Sequence, residues 1–314
     1  MSAFAFFGAL EIGLLYGLVA LGVYITFRVL DFPDLSVDGS FPMGAAVAAT
    51  AIVAGINPWI ATMMAVIAGA ATGWVTAFLA VRCGILHLLA SILTMIAAFS
   101  INIRIMGRPN MALLGEETIL TPFENLGDPM LVRPLIVGLL VLVAAWLVVR
   151  LLNSDFGLGL RATGVNARMV SAQGASTAFY TYFGLALSNG FVGFSGALFA
   201  QTNSFADVTS GVGTIVVGLA AVILGQTLIP GRKIWVAVLA VIVGSVLYRL
   251  AVAFALSTGM FGLQASDLNL VTAVLVAVAL IAPKIKGNFK AKKRNTPASS
   301  KAALKQASES GETV

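Results

Sequence analysis

Few side chains in this sequence could make or break a covalent bond. Cys83 and His87 are the only residues of their types, which rules out an internal disulfide and argues against a metal centre built on Cys/His clusters. There is no His-Glu-x-x-His pair, no Gly-x-Ser-x-Gly arrangement and no His partner placed to activate a hydroxyl or thiol, so no catalytic residue and no metal is expected. What remains is hydrogen bonding and charge, concentrated in two short runs. One is Asp34-Leu35-Ser36, followed by Asp38 and Gly39. The other is Asp207-Val208-Thr209, followed by Gly213. Such groups suit a path for a polar solute rather than a reaction.

The surroundings of these runs are almost uniformly apolar. Hydrophobic residues make up 59% of the chain and charged residues 10%, too few charges to coat a water-soluble domain. A spanning helix needs roughly 20 mostly apolar residues. Windows of that size give nine spans, near 4–27, 41–56, 59–81, 85–107, 131–151, 175–201, 212–230, 233–257 and 267–283, the second of them short and rich in Gly and Ala. Stretches such as 135–149 lack the alternation of a transmembrane β-barrel. The expected fold class is therefore all-α and integral to the membrane, a polytopic bundle of about nine helices. No Lys or Arg precedes Arg28, so the first run reads as a true helix and not as a cleaved signal.

The two polar runs echo one another. In each, Asp, a branched residue and a hydroxyl residue precede a Gly, and a second Gly follows five positions later: Gly39 and Gly44, then Gly213 and Gly218. An odd number of spans separates the copies, so they enter the membrane with opposite sense. Inverted repeats with broken helices are a recurring plan of transporters. Gly39 and Gly213 are expected at matching breaks. Pro33 and Gly39 interrupt helix around 28–40, and an early return to a span at Phe41 favours a re-entrant or broken-helix element bordering the path over an ordinary loop.

Other charges inside spans are isolated. Glu11 reads either as a pore-facing acid or as a carboxylate near the outer surface or bonded to another helix. Asn102, Arg104 and Arg249 read as side chains snorkelling to the outer interface, and His87 as a residue at a helix end on the cytoplasmic edge. By the positive-inside rule Arg28, Arg82, Arg150, Arg161, Arg168, Arg232 and Lys233 are cytoplasmic, with the amino terminus outside. The net charge of +6 comes from a carboxyl-terminal tail carrying Lys284, Lys286, Lys290, Lys292, Lys293, Arg294, Lys301 and Lys305. It is not a nucleic-acid signature. Residues 1–285 read as one membrane domain, and 286–314 as a disordered basic cytoplasmic tail that favours anionic lipid.

Between the fifth and sixth spans lies a cytoplasmic loop, 153–174. Residues 160–172 can form a short amphipathic helix, interrupted at Gly164, that shows Arg161 and Arg168 to water. Within it the sequence Gly159-Leu160-Arg161-Ala162-Thr163-Gly164-Val165-Asn166 is followed by Ala172-Gln173-Gly174. Together with Asp34–Ser40, Leu187–Ala197 and Gly213–Ala220, this loop resembles the permease subunits of bacterial ATP-binding-cassette (ABC) importers. The closer likeness is to the branched-chain amino acid and ribose permease group, in its branch of tryptophan/tyrosine or uncharacterised solute uptake permeases. It spans about residues 8–284.

The resemblance implies a type II-like importer permease domain over 1–285. Arg161, Gly164, Asn166 and Arg168 would couple it to a cytoplasmic ABC ATPase dimer. Asp34, Ser36, Asp38, Gly39, Asn189, Asp207, Thr209 and Gly213 would border the translocation path. No Gly-x-x-x-x-Gly-Lys-Ser/Thr loop occurs, so this chain binds no cofactor, and ATP and Mg belong to the partner ATPase. A periplasmic or lipid-anchored substrate-binding protein would deliver a small solute, with an aromatic amino acid first in line and another amino acid or a small polar metabolite as the alternatives. A second permease copy would complete the path across a bacterial inner membrane. On the residues alone an ion-gradient-driven secondary transporter or channel stays open, with Glu11 as the isolated acid a proton relay would need.

Overall fold

A computed structural model describes residues 3–257 apart from 127 and 232, together with 274 and 277. The ninth expected span, the basic tail and Arg232 lie outside the described residues. Among the described residues there are nine α-helices: α1 (Ala3–Val23), α2 (Val37–Val53), α3 (Pro58–Val81), α4 (His87–Met106), α5 (Pro129–Leu152), α6 (Asp155–Ala172), α7 (Thr177–Asn203), α8 (Thr214–Leu228) and α9 (Ile234–Ser257). A π-helical turn, Tyr24–Val29, continues α1. Seven of these helices are long and apolar enough to cross a membrane, and α2 is a shorter apolar helix. Eight of the nine expected spans are therefore matched by helices. The remaining helix, α6, covers the loop expected between the fifth and sixth spans.

Local chemistry sets several of the boundaries. Asn57 and Asp128 cap α3 and α5, accepting from Trp59 N (2.9 Å) and Met130 N (3.1 Å), each with Pro at the first helical position. Two short strands, β1 (Asn110–Ala112) and β2 (Phe205–Asp207), pair antiparallel and tie the carboxyl end of α4 to that of α7.

Burial is inverted relative to a water-soluble protein. Trp59, Ile60, Met63, Ile67, Leu135 and Trp146 face outward, while Ala, Gly, Ser and Thr fill the contacts between helices. In lipid no hydrophobic force drives helices together, so close backbone approach and interhelical hydrogen bonds must do so. α1 is the central post, buried from Leu15 to Val23. Ser195 of α7 donates to Leu15 O (2.7 Å) and Ser245 of α9 to Gly13 O (2.9 Å), so polar bonds as well as packing hold it. Phe41 of α2 sits fully buried between Tyr16 and Phe199, with ring centroids 5.7 and 5.4 Å away. α7 bridges the molecule, packing on α3 and α2 on one side and α1 on the other.

Candidate functional site

The two polar runs adopt the same local structure. Asp34 Oδ1 accepts from the backbone N (2.9 Å) and hydroxyl (2.5 Å) of Ser36. Asp207 Oδ1 accepts from the backbone N and hydroxyl of Thr209, both at 2.6 Å. A short acid followed two residues later by a hydroxyl closes such a turn on itself. The helices that follow, α2 and α8, run apart. α2 ends beside Ile105 near the carboxyl end of α4; α8 ends beside Arg28 and Arg161, at the end of the bundle that also holds α6. Their amino ends meet: Asp38 in the first turn of α2 accepts from Gly213 N (3.1 Å) and Ile215 N (2.7 Å), capping α8 across the two halves. Pro42 removes the N–H that would bond the Asp38 carbonyl, and Gly211 packs on that carbonyl and on the proline ring.

The breaks themselves differ. Gly213 precedes α8 in the left-handed region (φ 82°), where glycine is favoured. Gly39 is not a break, contrary to the sequence expectation. It lies inside α2, where an added Cβ would sit 2.9 Å from the Ala98 side chain of α4. The interruption in the first half falls earlier, at 30–36, where Asp31 takes a left-handed conformation (φ 53°). Short Asp tolerates that conformation.

Of the residues expected along the path, Asp34, Ser36 and Asn189 form one fully buried network. Asn189 donates to Asp34 Oδ2 (2.7 Å) and to Leu185 O (3.0 Å), and accepts from Ser40 (2.6 Å). The Ser40 hydroxyl also touches that of Thr72, which bonds Gly69 O at 2.6 Å. Among the described residues no cation pairs with Asp34, so neutral donors alone compensate the burial of its carboxyl group. Asp38, Gly39 and Gly213 group at the meeting of α2 and α8. Asp207 and Thr209 lie beside β1, past the carboxyl end of α7, where Asp207 accepts from Asn110 (3.2 Å).

A cavity of about 320 Å³ opens beside the α2–α8 junction, lined by Asp38, Gly39, Pro42, Ser100, Phe99 and Val212 among others. Another cavity of about 320 Å³, more polar in its lining, lies under the loop between α4 and α5, with Glu116, Glu117, Arg133 and Gln201 in its wall.

α6, between α5 and α7, has two parts. Ser154 caps its start, and Phe156 is packed among Phe179, Tyr180 and Phe183 of α7 at 4.7–5.9 Å. Gly164 faces Val29 O and Leu30, leaving no room for a side chain, so α6 rests directly on the start of the broken segment. The helix kinks at Asn166 (φ −158°, ψ 89°), not at Gly164 as expected. The Asn166 side chain accepts from Met169 N (3.0 Å) and restarts the helix. Val165, Asn166, Ala167, Arg168 and Met169 form an exposed knuckle. Arg161, expected in water, is half-buried instead and lines a cleft with Tyr24 and Arg28.

The sequence of residues 5–282 matches the family model described as branched-chain amino acid transport system / permease component. The chain belongs to this permease family. It is the permease subunit of an ABC importer and a multi-pass membrane protein, so the ion-gradient alternative falls away. A protein of Clostridioides difficile called tyrosine transport system permease protein is 37% identical over 283 residues, covering 90% of this chain and 92% of that protein. An uncharacterized protein of Rickettsia prowazekii is 37% identical over 218 residues, 69% of this chain and 75% of its own length. Among solved structures, PsaBC from Streptococcus pneumoniae in complex with Fab shows a TM-score of 0.48 and 16% identity, over 86% of the permease and 89% of that chain.

Two intramembrane side chains of the permease, Asn102 and Arg249, depart from the sequence reading, and a third, Glu11, follows one of the two alternatives given for it. Asn102 does not snorkel; it is fully buried and donates to Gly39 O (3.3 Å). Arg249 lies 4.0 Å over the Tyr16 ring, between α9 and α1. Glu11 is within electrostatic reach of Arg133, placing it against α5. His87 opens α4 as expected and stacks on Phe32 at 4.2 Å.

Proposed function

We propose that the permease is the gate of an ATP-driven, binding-protein-dependent importer that carries an aromatic amino acid across a bacterial inner membrane. The carrying observation is the contact of Gly164 with Val29 and Leu30. It joins the exposed knuckle of α6, through four residues of broken backbone, to the Asp34–Asn189 network. The knuckle is the docking element for a cytoplasmic ATPase dimer, with Asn166 and Arg168 at its tip and Gly164 at its base. ATP and Mg act on that partner. Closure of the ATPase pushes α6, the push reaches residues 30–36, and the α2–α8 junction switches between two packings.

The cavity beside Asp38 is the solute's station at the membrane centre, at the amino ends of two oppositely directed helices. A second copy of the permease completes the path, and a periplasmic or lipid-anchored binding protein delivers solute to the outer mouth. The aromatic class is supported by the likeness to the tyrosine permease over nearly the full length of both chains. The test is uptake of labelled tyrosine, tryptophan and leucine into vesicles holding permease, ATPase and binding protein. ATP-dependent uptake of the aromatic solutes, with leucine excluded, is expected; uptake of leucine alone contradicts the solute class.

A further inference from the structure

The cytoplasmic rim carries a cleft of about 580 Å³ to which three cations contribute. Arg28 comes from the π-helical turn ending α1, Arg161 from the first part of α6 and Lys233 from the turn before α9. Tyr24 and Gln226 add a phenol and an amide, and among the described residues no Asp or Glu lines the space. Arg28 and Arg161 both act electrostatically on the Tyr24 hydroxyl, so the two guanidinium groups are neighbours. Arg161 spends its Nε on Gly157 O of its own helix (3.3 Å), leaving the outer end of its fork for another partner.

A helix carboxyl end accounts for Arg28, which sits in the last turn of the segment that ends α1, but not for Arg161 or Lys233. α8 ends and α9 begins at the same cleft, so their partial charges oppose one another. Three like charges gathered from three segments repel unless an anion sits among them. Ile229, Pro230, Ile234 and Ala237 supply an apolar wall beside the cations, and the positive-inside rule puts this rim at the level of the lipid headgroups. Guanidinium groups match the oxygens of phosphate in fork geometry, and lysine adds a point charge.

We propose that Arg28, Arg161 and Lys233 form a binding site for a phosphate-bearing anion, either the headgroup of an anionic phospholipid of the cytoplasmic leaflet or a free phosphate. The bound anion bridges α6 to α1 and α9, and so restrains the same helix that carries Gly164 and the exposed knuckle.

The test uses the full-length permease in detergent micelles, titrated separately with dioctanoyl phosphatidylglycerol, dioctanoyl phosphatidylcholine and inorganic phosphate, with binding followed by native mass spectrometry and by melting. Phosphatidylglycerol is expected to bind more tightly than phosphatidylcholine. Lys233→Gln, at an exposed position, is expected to weaken binding about fivefold, and Arg28→Gln with Lys233→Gln about 25-fold. Arg82→Gln, exposed elsewhere on the same rim, leaves it unchanged. The charge-preserving pair Arg28→Lys with Lys233→Arg retains binding. If inorganic phosphate alone reproduces this dependence on the variants, the free anion is the ligand. Binding of phosphatidylglycerol that is equal in wild type and both Gln variants overturns the site, as does the absence of binding by either phosphate source.

Discussion

Asn189 is the hub of the buried network: its amide donates to Asp34 and to its own helix, and its oxygen accepts from Ser40 of α2. Replacing it by Leu leaves the Asp34 carboxyl group without its interhelical donor. Asn189→Leu is expected to cost about 1–3 kcal/mol of stability, read as a lowered midpoint in detergent melting, and to abolish uptake. Asp207 gives a different expectation. Its partial burial opposes ionisation, but the hydroxyl and N–H of Thr209 together with Asn110 outweigh this and hold its carboxyl group below the usual range. A depressed carboxylate stabilises the folded state above its unfolded pKa of about 4, and that contribution disappears as the pH falls through the folded value. Protection of the β1–β2 amides from hydrogen exchange should therefore weaken in acid below about pH 4, and Asp207→Asn should remove the dependence. The Asp-x-Ser and Asp-x-Thr turns were legible because such a pair closes locally. Ser40, Thr72 and Asn102 were not: a hydroxyl or amide within an apolar helix can bond its own preceding turn or a neighbouring helix, and only the packing decides.

Among the elements, α6, α2 and α8 carry the mechanism. Arg168→Glu at the exposed knuckle is expected to prevent co-purification of the ATPase while leaving the permease folded. Arg161→Glu leaves that docking intact, because Arg161 faces the cleft rather than the tip. The two glycines of the repeat should also separate. Gly213→Ala meets no neighbour but must hold a left-handed backbone, at a cost of about 1–2 kcal/mol. Gly39→Leu must displace α4 at Ala98 and Met95, and should be the more damaging in melting. The repeat could be read from sequence through its matched polar residues, but its breaks could not. A glycine spacing alone does not distinguish a left-handed turn such as Gly213 from a close helix contact such as Gly39. The kink at Asn166 was hidden for the same reason, since Gly164 was the more obvious breaker and in fact serves close packing.

For the molecule as a whole, the order of spans was legible because lipid selects long apolar helices so strongly. The second span was also the weakest in sequence, and it is the short helix α2. Truncation after Gly287 is expected to leave uptake largely intact; a stably inserted but inactive truncation would give the tail a direct role. The most direct measurement compares wild type and Gly164→Leu in vesicles holding permease, ATPase and binding protein, following solute uptake and ATP hydrolysis together. Uptake that needs ATP in wild type, with hydrolysis retained but most uptake lost in the variant, is the expected result. Undiminished uptake in Gly164→Leu, or uptake in wild type without nucleotide hydrolysis, would contradict the lever.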